Sequence, residues 1–487
     1  MLRFHTAHQS QIIDQIAIKE RNIPGILLMK RAGLFAFETL QHHFSNPQSI
    51  VVFCGTGHNG GDGFVVAQLA LLAGMEVHVL LHGNPESIQG DALIAYQEML
   101  AVGMTTSPFA ESIIIQADVL VDALFGTGLN RPISGQLAKQ IQWLNHLKKP
   151  VLALDTPSGL HADTGAILGQ AIHATHTCTF MTRKLGLHTF QGTDTAGKVH
   201  YSRLFLPLEI LQSQSPLALN HPLKYWMNKL PERLASQHKG VAGTVCLVGG
   251  NHSMMGAIQL AGLASLKVGA GLVKVITHSE HTVAITQSIP ELMCYQPEEL
   301  TIQANLANVV GIGPGLGLDD WAKTLYQQVL DVPLPKVVDA DALKLLALNP
   351  QKHSNWVLTP HPGEAALLLN MTTPEIQANR IQAINALQQK YGGVIVLKGN
   401  GSLMYDGKHL EICLAGNPGM AVGGMGDVLT GTIATFIAQG LSLWDATCLG
   451  VSLHAHAGDV LAQQKGQPGI LPSELASVMS QLMSYRD

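Results

Sequence analysis

The sequence predicts two α/β folds in series, the first a doubly wound sheet. Three observations carry that expectation. Short apolar runs alternate with helical patterns along most of the chain, and a stretch rich in Gln, Ser, Asn and Pro interrupts them from Leu211 to Pro222. Each half also holds a glycine-rich loop between a strand-like run and a helix-like run. Alternation of this kind implies a parallel sheet covered on both faces. At 487 residues the chain exceeds one ordinary core, so the interruption is read as a boundary, with domains over 1–215 and 222–487.

The elements follow in order. Ile12, Ile13, Ile16 and Ile18, then Ile26, Leu27, Leu28, Leu34 and Phe35 beyond Pro24, predict two opening helices between Ser10 and Ser45. Strands are expected at Ile50 to Phe53, Glu76 to Leu81, Val119 to Ala123 and Val151 to Leu154. In the second domain they are expected at Thr244 to Val248, Leu272 to Thr277, Asn308 to Ile312, Lys336 to Val338, Val357 to Thr359 and Val394 to Leu397. Asp406-Gly407, between Ser402 to Tyr405 and His409 to Leu414, predicts a hairpin closed by a type I′ turn.

Composition narrows the function. A net charge of −5 without a basic run argues against a nucleic-acid groove, which needs clustered Lys and Arg. The six cysteines form no CxxC pair and read as reduced core thiols. Neither a signal peptide nor a membrane-spanning apolar stretch is evident, so a cytoplasmic protein without membrane partners is expected.

After the first strand comes Gly55-Thr56-Gly57-His58-Asn59-Gly60-Gly61-Asp62-Gly63, followed by an apolar helix. Unpaired amides and the helix dipole make such a turn a phosphate cradle. A standard dinucleotide fold would carry an acidic residue after the second strand, where this chain has His82-Gly83, so a dehydrogenase is disfavoured. Asp122 to Pro132 and Asp155 to Leu160 follow the third and fourth strands, and the carboxyl ends of such strands form the ligand crevice. In the second half the sharpest signature is Gly416 to Asp427, running into a small-residue helix. Asp427 stands where a base could take a proton from an attacking hydroxyl. Lys239-Gly240, Gly249-Gly250-Asn251, Gly313 to Gly317, Asp339 to Leu343, Thr359 to Glu364 and Lys398 to Ser402 are the parts expected around it.

The motifs NGGDG, DALFGTGL.R and D.PSGL, in that order, resemble the epimerase half of the bifunctional NAD(P)H-hydrate repair enzymes over roughly residues 8–205. The second motif set resembles the dehydratase half of the same enzymes. The resemblance implies a Rossmann-like domain followed by a ribokinase-like one. It implies binding of hydrated NADH or NADPH by His58, Asn59, Gly60, Gly61, Asp62, Gly126, Thr127, Gly128, Leu129, Asn130, Arg131, Pro132 and Asp155 in the first domain. In the second it implies binding by Ala257, Gly315, His361 and Asp427. Lys398, Gly399, Asn400, Gly401, Ser402 and Gly426 would contact ADP, with ATP as the alternative donor. A potassium ion would be held by Asn59, Asp122 and Ser158, and Mg2+ would accompany the nucleotide, with Glu364 reaching it through water.

Asp155 is the candidate acid/base for epimerisation, with Lys184 as assistant; Asp427 is the candidate base for dehydration. His58 stands where the family has Asn, and Met425 where it has Thr or Ser, which removes a hydroxyl near the phosphates. A homo-oligomer is expected. Two rival readings stay open: a kinase for a vitamin or sugar hydroxyl, and a nucleotide sensor without turnover.

Overall fold

The computed structural model describes residues 1–232, 235–236 and 238–484. The chain divides into one unit over Arg3–Ala218 and another from Leu219 onward that also takes in Met1–Leu2. Among the described residues no helix is long and apolar enough to cross a membrane.

Seven parallel strands form the first unit's sheet, in the order Thr106–Ser107, Glu76–Leu81, Ser49–Cys54, Val119–Ala123, Val151–Leu154, His176–Phe180 and Lys198–Ser202. The chain builds outward from Ser49–Cys54 on one side and then returns to build the other, which makes Ser49–Cys54 and Val119–Ala123 the switch point where a crevice opens. Ile50, Val52, Val121 and Leu152 are fully buried, as strands covered on both faces require. The opening helices are Ala7–Gln15, continued by a π-turn over Ile16–Glu20, and Gly25–His43. The sequence gives no strong signal for Leu2–His5, which pairs with Arg183–Lys184 and so fixes Lys184.

In the second unit seven parallel strands run Leu292–Tyr295, Leu272–Ile276, Thr244–Val248, Val309–Ile312, Lys336–Val338, Trp356–Leu358 and Val394–Leu397. Ser402–Tyr405 and Leu410–Cys413 extend them antiparallel. Here the switch point lies between Thr244–Val248 and Val309–Ile312. The Met425–Ala438 helix packs directly on Met255–Lys267; a Cβ at Gly431 would stand 2.0 Å from the Ala261 carbonyl oxygen.

Two expectations need correction. The hairpin does not turn through type I′: Tyr405 pairs with Leu410, which leaves a four-residue loop, and only Gly407 in it has positive φ, at 95°. Asp406 instead accepts from the amides of Lys408 and His409, so its carboxylate organises the loop that a two-residue turn would have closed by backbone alone. The stretch from Leu211 to Pro222 is also not wholly a linker. Ala218–Asn220 forms a strand whose Leu219 pairs with Glu411, because an edge of the sheet offers it unpaired backbone groups.

In the first glycine loop Gly60 is required, because an added Cβ would stand 1.9 Å from the Gly55 carbonyl oxygen. Backbone cannot rotate away as a side chain can. Gly60→Ala should therefore cost about 1–3 kcal/mol, seen by calorimetry as earlier melting of the first unit with the second unit's transition unmoved.

Candidate active sites

In the first unit the Ser49–Cys54 strand delivers the chain into the His58–Leu72 helix, which starts at Gly57 with no side-chain cap. Its first amides are left for a ligand. Before them lies a cavity of about 780 Å³ lined by Gly55 to Asn59, Asp62, Leu124 to Arg131, Asp155 and Lys184. His58, Asn59, Asp62, Gly126, Thr127, Gly128, Leu129, Asn130 and Arg131 thus converge with the proposed acid/base pair. Gly60 and Gly61 are buried and do not line the cavity, since they pack against Gly55 and Met29; Pro132 does not line it either.

Lys184 is buried, and its Nζ donates to Asp155 Oδ1 at 2.6 Å and to the Phe180 carbonyl at 2.7 Å. Asp155 sits at φ 61°, a left-handed conformation that aspartate tolerates better than most residues. Its Oδ2 accepts from the Thr127 amide at 3.4 Å, so the carboxylate joins two of the motif loops. Burial pushes the Asp62 carboxyl well above the ordinary range, and nearby Asp155 and Asp14 add to the shift.

Asp122 and Ser158 lie behind the cavity wall rather than on it. Ser158 donates to Asp122 from its amide at 2.7 Å and its hydroxyl at 2.6 Å. Burial raises Asp122 to about 6 against these hydrogen bonds. Next to Gly126, both side-chain polar atoms of Asn59 are buried without a hydrogen-bond partner. Ser10, Gln11 and Asp14 of the opening helix also line the cavity. Sequence reasoning passed over them, although their polarity on an otherwise apolar-patterned helix was the available signal.

In the second unit the Met425–Ala438 helix begins at Gly424, φ 99°, again without a side-chain cap. Asp427 lies in its first turn. Burial first, and Asp339 second, raise its carboxyl to about 7, against the opposing pull of Lys398. Lys398 Nζ contacts Asp339 Oδ1 at 2.8 Å and Glu364 Oε2 at 3.8 Å. Burial disfavours the Lys398 charge, but Asp339 and Glu364 outweigh it and hold the ammonium above its ordinary value. Thr430 donates to the other Asp339 oxygen at 2.9 Å. A Cβ on Gly426 would lie 3.1 Å from Asp339 Oδ2 and 3.3 Å from Lys398 Nζ, so this glycine lets the helix start approach the ion pair.

His361 caps the Pro362–Leu369 helix, its Nδ1 accepting from the amides of Gly363 and Glu364. That leaves its Nε2 edge, 3.4 Å from Glu364 Oε1, as the group open to a ligand. Burial raises Glu364 itself to about 7. Gly315 is buried against Met254 and Ala257, which brings two of the expected substrate residues together at the switch point. Gly399 donates from its amide to Ser402 Oγ at 3.2 Å, and Gly401 is buried beside them. The sequence reading missed Arg380, a buried guanidinium donating to the carbonyls of Leu397, Lys398 and Gly401 and so bracing this loop from below. His454, which with His456 reads from sequence as a helix histidine without a special role, contacts the Met425 carbonyl at 3.0 Å and pins the start of the Asp427 helix.

The family described as NAD(P)H-hydrate dehydratase matches residues 245–481, and that described as YjeF-related protein N-terminus matches residues 26–186. A bifunctional NAD(P)H-hydrate repair enzyme of Coxiella burnetii is 42% identical over 474 residues, covering 96% of each chain. One from Escherichia coli is 39% identical over 492 residues, covering 98% of this chain and 94% of its own. Among solved structures, an ADP/ATP-dependent NAD(P)H-hydrate dehydratase from Bacillus subtilis, co-crystallised with ATP and Mg2+, is 27% identical with a TM-score of 0.51. The match takes in 55% of this chain and 100% of that one.

Proposed function

Because the chain belongs to the bifunctional NAD(P)H-hydrate repair enzyme family, we propose that its two units act in turn on one damaged cofactor. The first interconverts the R and S hydrates of NADH and NADPH, and the second dehydrates the S form at the expense of ADP, giving AMP and phosphate. The observation that carries this reading is Asp427, half-buried in the first turn of an uncapped helix and flanked by the Lys398–Asp339 pair.

Hydroxide leaves carbon poorly; phosphate leaves well. Asp427 takes the proton of the C6 hydroxyl as that oxygen attacks the terminal phosphorus of ADP, and the bond to AMP breaks. The ring-nitrogen lone pair then expels phosphate, and loss of the C5 proton restores the nicotinamide ring. Lys398, Gly399, Asn400, Gly401, Ser402 and Gly426 hold the nucleotide, with the Lys398 ammonium and helix amides facing the transferred charge. Ala257, Gly315 and His361 position the hydrate.

Mg2+ supplies charge neutralisation on the phosphates. The residues present fit an ion held mainly by nucleotide and water, since Lys398 and Thr430 engage the two Asp339 oxygens and Lys398 also reaches Glu364. In the first unit Asn59, Asp122 and Ser158 would hold K+, whose charge would favour an anionic substrate. Oxygen donors, one of them in the unpartnered Asn59 amide, suit it. Asp155 and Lys184 exchange the proton there, and six free cysteines suit work in the reducing cytoplasm.

An R/S mixture of hydrated NADH given ADP and Mg2+ tests both halves. Full recovery of nicotinamide absorbance, with one AMP and one phosphate per NADH, is expected. A stop after the S fraction would overturn the first half, a stable phosphorylated product would mean a small-molecule kinase, and absence of turnover a nucleotide sensor. A base must be ionised to act, and the Asp427 carboxyl lies at about 7. Accordingly kcat/KM for dehydration should fall as pH drops below that value and level off above it, followed by phosphate release.

A further inference from the structure

Outside both sites, one cluster of metal-ligating side chains stands out: His252, in the turn after the Thr244–Val248 strand, with Glu280 and His281 at the start of the Ser279–Ser288 helix. One ligand atom from each of the three lies within 4.8 Å of the others. We propose that these residues form a site for a divalent transition metal of the Zn2+ or Co2+ class, a reading independent of the function proposed above.

His281 Nδ1 lies 3.0 Å from the Gly250 carbonyl oxygen, which can only accept, so Nδ1 donates there and Nε2 is the ring edge left for another partner. That edge faces Glu280 Oε1 at 3.4 Å. The spacing is that of two ligands on a tetrahedral ion with bonds of about 2.0–2.2 Å. His252 Nδ1 completes the group, 2.6 Å from the same oxygen.

The outer contacts are those of a ligating site. Gly250 orients His281, and His252 stacks on His278 at 4.1 Å, which in turn stacks on Trp321 at 4.2 Å. Two imidazole nitrogens and one carboxylate select Zn2+ or Co2+ over Mg2+, and the open side leaves a position for water. Gly250 and Asn251 donate to the carbonyls of Pro314 and Gly315 at 2.9 and 2.7 Å. A bound ion would thus tie the Ser279–Ser288 helix to the turn that holds Gly315.

The full chain, free of any histidine tag and stripped by chelator, should bind one equivalent of Co2+ with visible d–d absorption, displaced by Zn2+ and untouched by excess Mg2+. His252 and Glu280 side chains are 63% and 57% exposed, so replacing them leaves the fold intact. His252→Ala and Glu280→Gln should each weaken Zn2+ by at least about tenfold, measured against a chromophoric chelator, and abolish the zinc-dependent rise in Tm. Undiminished binding in the double variant would overturn the proposal. So would binding lost only in His176→Ala/His200→Ala, where the two rings are 2.8 Å apart in the first unit.

Discussion

Asp427→Asn is expected to lower the dehydration rate by about 10²- to 10⁴-fold, the range that a positioned general base contributes. Asparagine keeps the size and the helix-start geometry, but it cannot take the hydroxyl proton. Lys398, Asp339 and the glycine amides remain, so nucleotide affinity should change little and the loss should fall on kcat. Stability should move the opposite way. The ordinary carboxyl value is 3.8 and burial lifts Asp427 to about 7 in the fold. Stability contributed by this group is therefore complete below the unfolded value and is lost as pH rises toward about 7, where the half-buried carboxylate must carry its charge. The Asn variant escapes that penalty, so at pH 8 it should melt no lower than the parent. Inactive protein with undiminished Tm and intact ADP binding is the expected combination; near-normal dehydration would remove Asp427 from the mechanism.

The two loops were readable because their task is done by backbone. A strand, a run of glycines and a helix start are contiguous, so Asn59 to Gly63 and Gly423 to Asp427 announce themselves in a dozen residues. Ion pairs carry no such local pattern. Lys184 meets Asp155 across 29 positions and Lys398 meets Asp339 across 59, partners that only strand order can bring together. Arg380 gave no signal because a lone arginine at a helix start reads as solvated, yet here it reaches past the Val394–Leu397 strand to the loop beyond. Elements failed to show where they were short or polar. Leu2–His5 has four residues, too few for a period, and Lys198–Ser202 is an edge strand with no fully buried face. The hairpin error was chemical, since Asp-Gly suits a type I′ turn but an Asp can also build a longer loop with its own carboxylate.

Asp155→Asn should abolish measurable epimerisation above background, a fall of about 10²- to 10⁴-fold, and should also lower the melting temperature of the first unit. Asparagine accepts the left-handed backbone at this position, so the main chain is not the source of the change. The source is Lys184, whose side chain is 2% exposed and would lose its carboxylate partner, keeping its contact with the Phe180 carbonyl. Removing one member of a buried pair costs about 3–5 kcal/mol, whereas removing both charges is often neutral. The double variant Asp155→Asn/Lys184→Met should therefore regain most of the lost stability while staying inactive. Calorimetry of the first unit's transition, together with the rate at which pure S hydrate becomes an R/S mixture, separates the two effects. If the double variant recovered epimerisation along with its stability, Asp155 would be holding the cavity together and another group, Asp62 first, would have to move the proton.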